Sequence, residues 1–233
     1  MFTIVNIKET TTVMDEIKKY NSNTILITEK QTNGRGKNNR IWISEKSNNL
    51  YMAIKILANN DKINYSNYCF LSAVTMLESI KSIFSDINLK LKWPNDILLN
   101  NKKICGILLE RDIQEKTLII GIGLNIDNSP QLNSDILFPA TNLKKEGFVI
   151  IDKNELLNYF IKYFEINSNY INKNNFEIIK QKWIDNAYNF KKEIIAKTSF
   201  VEYKGIFENM DNDGTLILNC NSNIIKINSA DIF

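Results

Sequence analysis

Apolar positions change their period along the chain. Between residues 65 and 84, Phe70, Ala73, Val74, Leu77, Ile80 and Phe84 recur at the spacing of a helix buried along one side. Residues 11–20 read as a shorter helix, with Met14 and Ile17 on one side and a run of Thr suited to capping its start. Short apolar runs at 24–29, 50–57, 89–93, 97–99, 104–110 and 117–124 read as strands, and a polar, Gly-containing loop at 30–40 follows the first of them. Asn100-Asn101-Lys102 is hairpin chemistry, because Asn tolerates positive φ. Helices are expected at 154–171 and 176–187. Beyond them only short strand-like runs remain (EIIA, FVEYKGIF, TLIL, IIKI), broken by turn signals such as Asp211-Asn212-Asp213-Gly214. The pattern predicts an α/β domain over 1–187 and a small antiparallel barrel over 188–233. The Asn-rich stretch 167–175 reads as solvated surface.

Composition narrows the chemistry. The chain has 233 residues, long enough to bury a core without disulfide staples, and it contains no His. A Ser-His-Asp triad, a Cys-His dyad and a His metal site are therefore excluded. The net charge is +3 on 29 basic and 26 acidic residues, too even to argue for a nucleic-acid binder. Cys69, Cys105 and Cys220 are far apart, which favours reduced thiols and a cytoplasmic location over a disulfide framework or a zinc site. No apolar run approaches the roughly 18 residues of a membrane span, and the start lacks a signal-peptide pattern. Of the basic residues only Arg35, Arg40 and Arg111 are Arg, so a cluster of Arg, Gly or Trp stands out.

Four such clusters occur. Gln31-Thr-Asn-Gly-Arg-Gly-Lys-Asn-Asn-Arg-Ile-Trp42 places Gly34, Gly36, Arg35 and Arg40 in a loop after a strand. Gly lets backbone N–H groups approach an anion, and Arg offers a fixed fork of donors, so the loop reads as a phosphate or carboxylate cradle or as a mobile surface turn. It is not a Walker A loop. Lys92-Trp-Pro-Asn-Asp-Ile97 ends a strand at Pro94 and leaves Asn95 and Asp96 as either a polar site or a simple turn. Lys102-Lys103-Ile-Cys-Gly-Ile-Leu-Leu-Glu110 opens an apolar strand with Lys, either a snorkelling surface charge or a charge aimed into a pocket. Gly121-Ile-Gly-Leu-Asn125 leaves room for something flat against the backbone, or marks a bulge.

Each cluster is weak alone, but their order and spacing resemble the biotin–protein ligase family from about residue 10 to the end of the chain. The resemblance implies an α+β fold with a mixed-sheet catalytic domain and an SH3-like C-terminal barrel. It implies two-step chemistry: biotin and ATP, with Mg²⁺ and no protein-held metal, give biotinyl-adenylate, and a lysine of a biotin carboxyl carrier protein then displaces AMP. By resemblance, Gln31, Gly34 and the backbone of Arg35, Gly36 and Lys37 hold the biotin end and fold over the adenylate, with Arg40 in the same loop. Trp42 falls where a family Trp stacks near adenine. Lys103 contacts the biotin carboxylate and then the phosphate, a role that suits a fixed ammonium facing developing negative charge. Asp96, beside Lys92 and Asn95, orients the incoming amine, and Arg35 joins Lys103 and Asp96 in the catalytic set. Gly106 and Gly123 line the biotin slot, with Asn125 close by, and Thr11 or Thr12 supplies a hydroxyl to the ureido group. The chain departs from the usual GRGRxGR loop, with Lys37, Asn38 and Asn39 in place of Arg, any residue and Gly. It lacks an N-terminal winged helix, so the expectation is a ligase and not a repressor, without DNA or membrane partners, as a monomer or homodimer. Lipoate–protein ligase shares the fold but needs an RRxxGGGxV-type segment, which is absent here. A nucleic-acid module or a scaffold leaves the KWPND and KICGILLE segments unexplained.

Overall fold

The computed structural model describes residues 1–130, 139–149, 152–173 and 175–233, with Asn39 as backbone only. The two most uniformly apolar strands, β3 (Leu50–Leu57) and β7 (Thr117–Leu124), lie at the middle of a seven-stranded sheet, as expected for strands covered on both faces. Around them are β1 (Thr3–Thr10), β2 (Thr24–Gln31), β4 (Leu89–Lys92), β5 (Asp96–Leu99) and β6 (Lys102–Asp112), in the order β1-β2-β3-β7-β6-β5-β4. β1 runs parallel to β2 and the other pairs are antiparallel, so the sheet is mixed. Asn100 and Asn101 both take positive φ in the β5–β6 turn, as the hairpin reading requires.

The two faces of this sheet are finished differently. On one, Met52, Ile54, Ile120 and Ile122 pack with α2 (Asn67–Ile83) and α3 (Lys153–Asn172) in the main core. α2 follows the predicted periodicity, with Phe70, Ala73, Val74, Leu77 and Ile80 buried. On the other face a smaller cluster of Val13, Met14, Ile17, Leu26, Ala53 and Ile119 sits under α1 (Val13–Glu16) and the 3₁₀ turn that continues it, Ile17–Lys19. Lys55 also lies on this second face, buried, and donates to the carbonyls of Lys18 and Tyr20 that the turn leaves unpaired. That face carries Gly106, Gly121 and Gly123 in place of side chains, and it is where a cavity opens.

α4 (Phe176–Asp185) leads to a second sheet of β8 (Glu193–Lys197), β9 (Glu202–Met210), β10 (Leu216–Cys220), β11 (Asn223–Ile227) and β12 (Asp231–Ile232). The order is β11-β10-β9-β8-β12, all antiparallel. The expected small antiparallel C-terminal unit is present as this five-stranded sheet; among the described residues no pairing joins β11 to β12. The two sheets share one apolar core: Trp183 packs edge-on to Phe70 with ring centroids 5.8 Å apart and lies 6.3 Å from Phe207. One surface expectation fails. Asn167 is fully buried between α3 and α2, donating to Thr75 Oγ1 at 3.0 Å and Glu78 at 2.9 Å, so the start of the Asn-rich stretch is a buried polar tie.

Candidate functional site

Strand register builds the floor of the cavity. Lys92 pairs with Asp96, Asp96 with Gly106, and Gly106 with Gly123, so four of the singled-out residues form one row across β4, β5, β6 and β7. The glycines make this floor flat, and the Trp42 ring lies on it: a Cβ built on Gly123 would sit 2.4 Å from Trp42 Cε2, and one on Gly106 would sit 2.8 Å from Cζ3. Trp42 Nε1 is buried with no hydrogen-bond partner among the described residues, so an unmatched donor sits in the slot. Lys103 Nζ lies 5.3 Å from the Trp42 ring centroid. Trp42 and the glycines, expected at two different parts of a ligand, thus form a single surface.

Charge gathers at the rim. Lys103 Nζ forms an ion pair with Asp96 Oδ1 at 2.6 Å, and Lys92 Nζ is 3.9 Å from Asp96 Oδ2. Burial pulls the Lys92 ammonium below its ordinary pKa, partly offset by Asp96. Lys37 is lowered for the same reason, against smaller upward pulls from Cys69, Asp231 and Asp96. Asn95 pins the turn, its Nδ2 donating to Ile107 O at 2.8 Å while its own carbonyl accepts from Ile107 N–H.

The loop after β2 is folded back on itself. Gly36 N–H donates to Arg40 O at 2.7 Å and Trp42 N–H to Gly34 O at 2.8 Å. Gly34 is required there, since a Cβ would come within 2.4 Å of Trp42 O. Arg35 reaches Asp15 on α1 at 2.9 Å and Glu110 on β6 at 3.0 Å, and Arg40 contacts Asp231 of β12. The loop is therefore held to three elements by ion pairs. Gln31, buried at the end of β2, accepts from Val13 N–H at 2.8 Å and donates to Ser44 Oγ at 2.7 Å, so its amide joins α1 to the returning loop.

Gln31, Arg35, Gly36, Lys37, Arg40, Trp42, Lys92, Asn95, Asp96, Lys103, Gly106, Gly123 and Asn125 all line one cavity of about 530 Å³. Gly34, Thr11 and Thr12 are not among its lining residues. Thr12 is buried as the N-cap of α1, its hydroxyl accepting from Met14 N–H at 3.4 Å, and Thr11 is exposed. Asn125, buried, spends its amide N–H on Thr141 O at 3.1 Å. The sequence reading missed Asp231 and Phe233, which reach the cavity from β12 and the chain end, and also Met14, whose Sδ lies 2.4 Å from where a Gly121 Cβ would stand.

Five basic side chains (Arg35, Lys37, Arg40, Lys92, Lys103) face two carboxylates (Asp96, Asp231) in the lining, a balance that suits an anionic ligand laid along a flat floor. Among the described residues no group of three or more His, Cys, Asp or Glu is arranged to hold a metal ion. Fold and site together define a ligand-binding domain of the cofactor-ligase type. The chain belongs to the biotin/lipoate A/B protein ligase family, whose model matches residues 3–127. It is 32% identical over 213 residues to the bifunctional ligase/repressor BirA of Bacillus subtilis (strain 168), covering 90% of this chain and 65% of that protein. The chain thus spans just under two thirds of the length of this relative. It is 26% identical to the biotin--[acetyl-CoA-carboxylase] ligase of Paracoccus denitrificans over 214 residues, with 89% of each covered. The solved biotin protein ligase of Aquifex aeolicus in complex with biotin and ATP shares the fold, with a TM-score of 0.85 at 24% identity over 99% of this chain and 97% of that one.

Proposed function

We propose that the chain is an ATP-dependent biotin–protein ligase, which adenylates biotin and passes the biotinyl group to a lysine of a biotin carboxyl carrier domain. The observation that carries this reading is the row Lys92–Asp96–Gly106–Gly123 with Lys103 beside it: a flat slot ending in paired charges, where an acyl carboxylate and a phosphate could sit together. Lys103 is the ammonium that meets the carboxylate and then the phosphate. Asp96, released from Lys103 as that charge turns to ligand, orients the carrier amine. Arg35, Gly36, Lys37 and Arg40 cover the intermediate. Residues 1–187 supply the slot and 188–233 close one side through Asp231.

The residues present fit both substrates: the unmatched Trp42 Nε1 offers a donor, and the lining cations offer charge to a triphosphate. Mg²⁺ supplies charge neutralisation to the polyphosphate when bound, and Asp96 and Asp231 are the lining carboxylates within the described residues that could assist it. The similarity to the Paracoccus denitrificans protein named biotin--[acetyl-CoA-carboxylase] ligase favours biotin over lipoate. No helix among the described residues is long and apolar enough to cross a membrane, and the Cys residues are free, which supports a cytoplasmic site of action. The test is biotin-dependent ATP–pyrophosphate exchange. Exchange with biotin and not with lipoate supports the reading, and exchange with lipoate alone overturns it.

A further inference from the structure

Lys37 occupies a position where the resembling family carries Arg, and the substitution changes what the side chain can do. A guanidinium is not a nucleophile; an amine is. Lys37 lines the same cavity as Asp96, Trp42 and Lys103, partly buried, with its Nζ 5.9 Å from the Trp93 ring centroid. Among the described residues no carboxylate lies within ion-pair distance of its Nζ, whereas Lys103 is held at 2.6 Å by Asp96 and Lys92 lies 3.9 Å from the same carboxylate. It is also carried on a loop whose next residue, Asn38, takes positive φ in a single 3₁₀ turn.

We propose that Lys37 is a self-acylation site, taking the acyl group from an acyl-adenylate held in this cavity when no carrier lysine is present. The inference rests on the ligase reading. In the step, the neutral Lys37 nitrogen attacks the acyl carbonyl carbon and forms an amide. The carbon–oxygen bond to phosphate breaks, AMP leaves with its electron pair, and the amine proton passes to solvent. No further reactant is needed, because the mixed anhydride is already activated. Two features make the reaction fast relative to any exposed lysine. The amine lines the cavity in which the adenylate would be held, so its attack replaces a bimolecular encounter. Burial also lowers its pKa, which favours the neutral amine, although Cys69, Asp231 and Asp96 pull the other way and Arg40 adds to the lowering. The consequence is a built-in discharge route: adenylate that meets no carrier is quenched on the enzyme's own lid.

The experiment incubates the whole chain with biotin, ATP and Mg²⁺ and no carrier, follows intact mass, and maps the label by peptide mass spectrometry. Pyrophosphate exchange is measured in the same samples. The expected result is one biotinyl group per chain, added at a rate independent of protein concentration and mapped to Lys37. Lys37 should carry about tenfold more label than the exposed Lys8 or Lys116. In Lys37→Arg, label normalised to that variant's own exchange rate should fall about tenfold. Exchange accompanied by no label, by label spread over exposed lysines, or by label on Lys92 or Lys103 overturns the inference alone. Absence of exchange overturns the ligase reading and this inference with it.

Discussion

At the scale of single residues, Lys103 is the sharpest test of the chemistry. Its ammonium sits between Asp96 at 2.6 Å and the Trp42 ring, so it is placed in advance for a second negative charge. Lys103→Gln removes that charge and keeps most of the stem. It should slow pyrophosphate exchange about a hundredfold, or about 3 kcal/mol of transition-state stabilisation, with little change in urea unfolding. A normal exchange rate in a folded variant would show that Lys103 is only a partner for Asp96. Asp96→Asn should act on the other step: transfer from preformed biotinyl-adenylate to a carrier domain slows, because an amide orients and deprotonates an amine less well than a carboxylate. Lys103 and Asp96 could be singled out in the sequence because scarce residue types, Gly106 and Trp93, stand beside them in a chain dominated by Asn, Ile and Lys. Asp231 was not. Its contact with Arg40 spans 191 positions of sequence, and no local pattern encodes a meeting at that range. Thr12 is ambiguous for the opposite reason, since a hydroxyl that can meet a ligand is also a good helix cap, and α1 uses it as one.

At the scale of elements, the strands and helices with strong periodicity were readable and the weakly patterned ones were not. β1 shows mostly exposed side chains on the sheet edge, so its sequence has little of the alternation that marks a half-buried strand. The long helices announced themselves because each buries a full stripe. How the elements join is less visible, and two joints are testable. Gly214 takes φ +86 in the β9–β10 turn, its carbonyl accepts from Trp93 Nε1 at 2.9 Å, and a Cβ would stand 2.1 Å from Phe70. Gly214→Ala should therefore cost about 3 kcal/mol in urea unfolding, from strain plus overpacking, and should disturb the KWPND turn. An Ala variant as stable as wild type would mean that the second sheet is not seated through this turn. The second joint is Glu146. It accepts from Asn100 Nδ2 and Thr141 Oγ1 at 2.7 Å and from Lys102 Nζ at 3.1 Å, tying the β5–β6 hairpin to the segment beside it. These bonds, Asn100 first, pull its carboxyl from 4.5 down to about 2. A depressed carboxyl contributes stability above its unfolded value that disappears as pH falls through the folded one. Glu146→Gln should be less stable than wild type by about 2 kcal/mol at pH 7, and the gap should close between pH 4.5 and 2. A gap that stays constant across that window would assign the loss to shape and not to charge.

For the whole molecule, the cavity lies where three parts of the fold meet. Its floor belongs to the seven-stranded sheet, its cover to the loop returning after β2, and one wall to β12 of the second sheet. The cover is fastened by Arg35 to Asp15 and Glu110 and by Arg40 to Asp231, pairs that are substantially exposed on the Arg side and so individually weak. An anion bridging Lys103, Lys37 and Arg40 would add a fastening common to floor and cover, and would exist only in the folded chain. Such a ligand stabilises by mass action, about 2.7 kcal/mol at a hundred times its dissociation constant. For a chain of this size that corresponds to an upshift in unfolding temperature of about 5–10 °C with biotin, ATP and Mg²⁺ together. The combination should exceed the sum of biotin alone and ATP alone, because the adenylate would carry the acyl end to the Trp42-covered floor and the phosphate to the cations in one molecule, so the ordering of the loop is required once rather than twice. Lipoate offers a carboxylate but no ureido group, and it should give a much smaller shift under the same conditions. Thermal unfolding followed with each ligand set separates these outcomes. An equal response to lipoate, or none to biotin with ATP, would sink the proposed substrate, and a purely additive response would show that the two halves of the site bind without forming a common intermediate.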